Sequence, residues 1–144
     1  NGEKNVNIER KINEKNKQIK IFYTKYKAKN IEKFKNKKVT AFAGIGNPEN
    51  FFTLLKDNNI NVVKEIKFPD HYNYTKNELE NIITETKKNS EILVTTEKDF
   101  MRIDEDYKKD INYLKISVDI KNRDKFIEEI KKIIWKLLSI FLNL

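Results

Sequence analysis

Three short segments concentrate the residue types that do chemistry: Gly44–Pro48 (GIGNP), Asp70-His71, and Thr95–Asp99 (TTEKD). Gly44 and Gly46 permit a tight turn and let a ligand approach backbone that carries no Cβ. With Asn47 as the cap and Pro48 as the first residue of a following helix, free N–H groups would face that turn and favour an anion. GIGNP also reads as an ordinary strand-to-helix turn. It lacks the third glycine of a dinucleotide fingerprint and the Gly-Lys-Ser/Thr of a P-loop. Gly44, Gly46 and Asn47 are thus candidates for a substrate or phosphate loop.

Asp70-His71 suits proton transfer, or the holding of another group's charge, because imidazole titrates near neutrality and an adjacent carboxylate orients it. A solitary histidine in a surface loop is the plainer alternative. Thr96, Glu97, Lys98 and Asp99 bring a hydroxyl and both charges to one point. Their spacing equally fits a structural motif, Thr96 with Asp99 capping a helix and Glu97 with Lys98 forming a local ion pair.

Composition removes several chemistries. The chain has no cysteine and one histidine, which excludes disulfides, thiolate zinc sites, cysteine nucleophiles and His-rich metal sites; no metal site is expected. No stretch approaches the ~18 consecutive apolar residues of a membrane span, and the amino end does not read as a signal peptide. The net charge of +8 suggests nucleic acid, but its distribution argues otherwise. Residues 1–38 hold 13 Lys/Arg against 4 Glu, whereas residues 39–144 hold 17 basic and 18 acidic residues. Only 3 of the 30 basic residues are Arg, the residue best suited to bidentate guanine or phosphate recognition. No nucleic-acid partner is expected. A basic arm binding nucleic acid or anionic lipid is one alternative function, and a stand-alone phosphate-ligand α/β domain is another.

The elements that must position these segments follow from periodicity. Within residues 6–18 a short helix is expected, and Ile19–Tyr26 (IKIFYTKY) reads as a strand. Residues 28–38 (AKNIEKFKNKK) read as a polar connector. Val39–Ala43 is a short apolar run of the kind buried in parallel sheets. A helix then begins at Pro48, with Phe51, Phe52, Leu54 and Leu55 on one face. Ile60–Phe68 is the next strand, and Thr75 with Glu78 forms a capping box ahead of Leu79, Ile82 and Ile83. Tyr74 and Leu79 have the spacing of a hydrophobic staple. Ile92–Thr95 and Tyr113–Val118 are further strands, and a helix from Arg123 carries an apolar stripe.

Strands alternating with helices define an α/β fold, a Rossmann-like parallel sheet covered by helices, preceded by an amino-terminal helix/strand hinge segment. The expected divisions are a basic arm and hinge over 1–38, the lobe over 39–138 and an apolar tail over 139–144. In such a sheet ligands gather at the carboxyl ends of the strands, where all three segments fall.

AFAGIGNPENFF, FPDHYNYT and VTTEKDFMRI, in this order and spacing, resemble the carboxyl-terminal half of tetraacyldisaccharide 4′-kinase, the lipid A 4′-kinase. The resemblance is strong over Val39–Asp99 and weaker from Ile8. It implies transfer of the ATP γ-phosphate to the 4′-hydroxyl of a tetraacylated glucosamine disaccharide 1-phosphate. It also implies two α/β lobes joined by a two-stranded hinge, use of Mg²⁺, and a peripheral place on the cytoplasmic face of the bacterial inner membrane. Ile19–Tyr26 would be one hinge strand.

By the same resemblance His71 reaches the active site when the lobes close and supports the catalytic aspartate, with Asp70 as its acidic neighbour. Tyr72 stands where many members carry a second histidine, so no two-histidine role is carried over. GIGNP and TTEKD are family hallmarks expected to shape the lobe. The P-loop, the Mg²⁺-binding acids and the catalytic aspartate have no match here. The chain is therefore expected to be a fragment or one half of a split gene, inactive alone, with ATP and Mg²⁺ held mainly by an amino-terminal P-loop lobe in cis or on a separate chain. Its further expected partners are the lipid disaccharide phosphate and the membrane surface.

Overall fold

The computed structural model describes residues 4–142. Its centre is a four-stranded, fully parallel sheet of β2 (Lys38–Ala43), β3 (Asn61–Lys67), β4 (Ile92–Thr96) and β5 (Asn112–Leu114), in the order β3-β2-β4-β5. The connection from β2 to β3 runs through α2 (Pro48–Asp57). That from β3 to β4 runs through α3 (Lys76–Lys88) and passes back beyond β2. Chain direction across the sheet therefore reverses between β2 and β4, the switch point of a doubly wound α/β fold.

Period-2 alternation along the central strands splits the core into two layers. Val39, Ala41 and Ala43 of β2 and Val94 of β4 pack with Phe51, Phe52, Leu54 and Leu55 of α2. Phe42 and Leu93 point the other way, onto Leu79 and Ile83 of α3 and onto Ile103 and Ile111. Phe52 and Leu55 are essentially solvent-free; each such side chain contributes roughly 1.5–3 kcal/mol.

The helix starts fold as their sequences dictate. Asn47 Oδ1 accepts from Asn50 N at 3.4 Å with Pro48 at the first position of α2. At α3, Glu78 Oε2 accepts from Thr75 N at 2.8 Å while Thr75 Oγ1 accepts from Glu78 N at 3.4 Å. Tyr74 packs in the same layer as Leu79.

Several expectations are corrected. The run Tyr113–Val118 is two strands in two sheets, β5 and β6 (Ile116–Ile120), and β6 pairs with β1 (Thr24–Ala28). The break at Lys115 is held by Asn30, whose Oδ1 accepts from Lys115 N and whose Nδ2 donates to Tyr113 O, both at 2.8 Å. Residues 19–23 precede β1 and are not strand. The Phe22 ring instead meets Phe126 edge-on at 5.3 Å, and the Tyr23 hydroxyl donates to Glu9. The connector over 28–38 is not purely polar surface, because Phe34, after a short 3₁₀ turn (Ile31–Lys33), is 1% exposed and belongs to the core.

The chain separates into two compact units. One comprises Lys27–Ser117; the other takes the segments up to Tyr26 and from Val118 onward. These limits differ from those read at 38/39 and 138/139, since residues 27–38 go with the sheet and the last helix does not. That helix, α6 (Arg123–Leu142), has no buried residue and contributes none to either core layer. It also continues through most of the expected tail, whose residues 143–144 lie outside the described ones. The second unit also holds α1 (Val6–Lys15), capped by Asn5 Oδ1 accepting from Ile8 N at 3.1 Å. Among the described residues no helix is long and apolar enough to cross a membrane.

Candidate functional site

All three chemically rich segments stand at the carboxyl edge of the sheet: GIGNP after β2, Asp70-His71 after β3 and Thr96–Asp99 after β4. Backbone bonds tie the first two. Phe68 N donates to Ala43 O at 2.9 Å, and His71 N donates to Gly44 O at 3.0 Å. Gly44 is required by crowding, because a Cβ there would lie 2.8 Å from the Tyr74 hydroxyl and 3.2 Å from Pro69 O. Gly46 faces open space except for Asp70 Oδ2, 3.3 Å from the corresponding point. The two glycines thus have different reasons: one accommodates the loop after β3, the other leaves room beside Asp70.

His71 has φ 58°, in the left-handed region. Histidine adopts it more readily than most residues, yet it costs roughly 1–2 kcal/mol. Such a conformation persists only where surrounding bonds over-determine it. The imidazole is largely exposed, with Nε2 3.9 Å from Asp70 Oδ2 and 3.3 Å from Lys98 Nζ. The Lys98 ammonium can only donate and so favours an Nε2 free of its proton, whereas the Asp70 carboxylate beside the same nitrogen can only accept and favours Nε2–H. Lys98 therefore reaches His71, and the expected ion pair with Glu97 is not formed.

Beneath this edge lies a buried polar cluster. Asp99 is 0% exposed, and its Oδ2 accepts from Gly44 N at 3.0 Å and from Thr96 Oγ1 at 2.8 Å. Thr96 Oγ1 also accepts from Asp99 N at 3.1 Å, capping the four-residue helix α4 (Glu97–Phe100). Asp99 Oδ1 stands 3.7 Å from Arg102 Nη1. Arg102 Nη2 donates to Tyr72 O at 2.7 Å and to Asn73 Oδ1 at 3.3 Å. Burial, and then the negative charge of Asp99, push the Tyr74 phenol well above its ordinary value. Edge-on contacts of Tyr74 with Phe42, Phe68 and Tyr72, at centroid distances of 5.0–5.6 Å, fix the loop from its apolar side.

Sequence reasoning singled out Asp70, His71, Gly44, Gly46, Asn47 and Thr96–Asp99, and the structure gathers all of these at one edge. It missed Arg102 and the polar side of Tyr74. The available signal was an acid and an arginine three residues apart in a capped turn, Asp99 and Arg102. The described residues hold no group of three or more His, Cys, Asp or Glu side chains able to bind a metal ion. A separate groove of about 390 Å³, lined in part by Lys20, Lys121, Lys125 and Lys132, lies in the unit of α1 and α6 and contains none of these segments.

The fold is thus a doubly wound α/β lobe that carries an acid–imidazole–ammonium group at the carboxyl edge of its sheet. Residues 2–135 match the family described as LpxK: Tetraacyldisaccharide-1-P 4'-kinase, and the chain belongs to that family. It is 35% identical over 134 residues to the tetraacyldisaccharide 4'-kinase of Pelagibacter ubique (strain HTCC1062), covering 92% of this chain and 43% of that protein. With the kinases of Rickettsia akari (strain Hartford) and Rickettsia bellii (strain OSU 85-389) it shares 42% over 103 and 44% over 98 residues. These matches cover 72% and 68% of this chain, and 31% and 30% of those proteins. The chain thus spans less than half the length of these relatives. The crystal structure of "apo" form LpxK from Aquifex aeolicus in complex with ATP shares its fold, with a TM-score of 0.52 at 22% identity over 83% of this chain and 40% of that one.

Proposed function

We propose that this chain supplies the second α/β lobe of a lipid A 4′-kinase, which moves the ATP γ-phosphate onto the 4′-hydroxyl of tetraacyldisaccharide 1-phosphate. The observation that carries this reading is the presentation of His71. An exposed imidazole, fixed in an uncommon backbone conformation beside Asp70 and Lys98, stands where doubly wound sheets meet their ligands. The paired strands β1 and β6 fit a two-stranded hinge.

The residues present do not fit a nucleotide-phosphate cradle or a magnesium centre. There is no Gly-Lys-Ser/Thr in the sequence and no acidic cluster among the described residues. In this reading those tasks fall to a P-loop lobe, in cis or on a separate chain. The task left to this lobe is narrower. Asp70 and Lys98 flank Nε2 and hold the imidazole in one direction, and His71 then orients the acidic group on the facing lobe that receives the hydroxyl proton. The enzyme would act peripherally at the cytoplasmic face of the inner membrane, where its acylated substrate lies.

Transfer of labelled γ-phosphate to tetraacyldisaccharide 1-phosphate tests this reading, with the complete two-lobe enzyme and this chain measured side by side. Label should enter the lipid only with the complete enzyme. A complete enzyme that leaves the lipid unlabelled contradicts the proposal.

A further inference from the structure

Hydrogen bonds and one ion-pair contact around His71 form a circuit. Asp99 Oδ2 accepts from Gly44 N at 3.0 Å, and Gly44 O accepts from His71 N at 3.0 Å. The Tyr72 carbonyl accepts from Arg102 Nη2 at 2.7 Å, and Arg102 Nη1 faces Asp99 Oδ1 at 3.7 Å as an ion pair without a hydrogen bond. His71 sits in a turn closed by Tyr72 N donating to Pro69 O at 3.2 Å; its own amide, and the Tyr72 carbonyl one peptide group beyond the turn, are tied to opposite ends of one largely buried ion pair. Asp99 is fully buried and the Arg102 side chain is 25% exposed, so little solvent competes for these bonds. Capping α4 would require only Thr96 and the Asp99 amide. The Asp99 carboxylate and Arg102 have instead been turned toward the segments after β2 and β3.

We propose that Asp99 and Arg102 are positioning residues for His71. They act through Gly44 and Tyr72 to hold the histidine at positive φ with its ring aimed outward, and neither touches substrate. This inference rests on the kinase reading of His71 given above. It assigns the last residue of the TTEKD segment, together with an arginine three positions on, to alignment of the imidazole rather than to helix capping alone.

A double-mutant cycle in the complete two-lobe enzyme separates alignment from mere stability. Arg102→Gln should lower kcat by about tenfold to a hundredfold, as expected for a reacting group displaced by about an ångström, with KM for the lipid little changed. His71→Asn keeps a residue tolerant of positive φ but removes the imidazole. In that background Arg102→Gln should change kcat by less than about twofold. Arg102→Lys, which keeps one donor toward Tyr72 O, should recover part of the turnover. Asp99→Asn gives a second entry into the circuit should Arg102 variants fold poorly.

A readout independent of turnover is available because the chain has a single histidine. The His71 ring should give one sharp NMR resonance in this chain and a shifted or multiple one in Arg102→Gln. Losses that multiply independently in the cycle, or an unchanged His71 resonance, overturn the positioning role while leaving the kinase reading intact. Unchanged turnover in His71→Asn overturns both.

Discussion

Lys98 and His71, 27 residues apart in the chain, meet at the carboxyl edge of the sheet with Nζ 3.3 Å from Nε2. Lys98 comes from α4, which starts at the Thr96 cap, and His71 from the left-handed position of the loop after β3. The contact favours an imidazole proton on Nδ1, since an ammonium has nothing to accept with. Removing the ammonium should release that preference. Lys98→Met is expected to shift the ring toward the Nε2–H tautomer, read from the two ¹⁵N chemical shifts of the sole histidine. Unaltered shifts would mean that Lys98 does not hold the ring.

The two glycines of GIGNP should respond unequally to the same change. Gly44→Ala drives a methyl into the Tyr74 hydroxyl and Pro69 O and should cost about 1–3 kcal/mol in urea unfolding. Gly46→Ala meets only the tip of an exposed Asp70 side chain and should stay within about 0.5 kcal/mol. Adding Tyr74→Phe to Gly44→Ala removes the nearest obstructing atom and should restore part of the loss. Equal effects at both glycines would contradict this division of roles.

The capping box of α3 carries a pH dependence of known sign. Bonds from the Thr75 side chain and backbone, and then from Tyr72, hold the Glu78 carboxyl below its ordinary range. A group with a depressed folded pKa stabilises fully above its unfolded value, near 4.3 for Glu, and loses that contribution as pH falls through the folded value. Amide protection at the start of α3 should therefore weaken with acidification below about pH 4.3. Glu78→Gln, which keeps a hydrogen-bonding group but cannot titrate, should flatten that dependence.

Much of the positioning scaffold was legible because it rests on local chemistry. Asn47-Pro48 and Thr75 with Glu78 announce their helices, and the run Val39–Ala43 announces a buried strand. What could not be read is set by distant partners. Nothing in Tyr113–Val118 marks the break at Lys115, because the asparagine that holds it lies at position 30. Phe34 looked like part of a polar connector because its packing partners lie in other elements. The stripe on α6 has the same periodicity as a core helix, and periodicity cannot tell which surface, if any, it covers. At the site, the residue types were visible but not the turn that puts His71 at positive φ, closed by Tyr72 N donating to Pro69 O, nor the arginine beneath it, whose partners Asp99 and Tyr72 come from two loops.

The central claim is that His71 serves phosphoryl transfer to a lipid sugar. Its most direct test is steady-state kinetics of His71→Asn in the complete two-lobe enzyme, with tetraacyldisaccharide 1-phosphate as acceptor. Asparagine accepts the backbone conformation at this position, so the loop should hold while the imidazole is lost. The expected result is a fall in kcat of roughly 100-fold or more with KM for the lipid little changed. Turnover equal to that of the unaltered enzyme would contradict the claim and remove His71 from the mechanism.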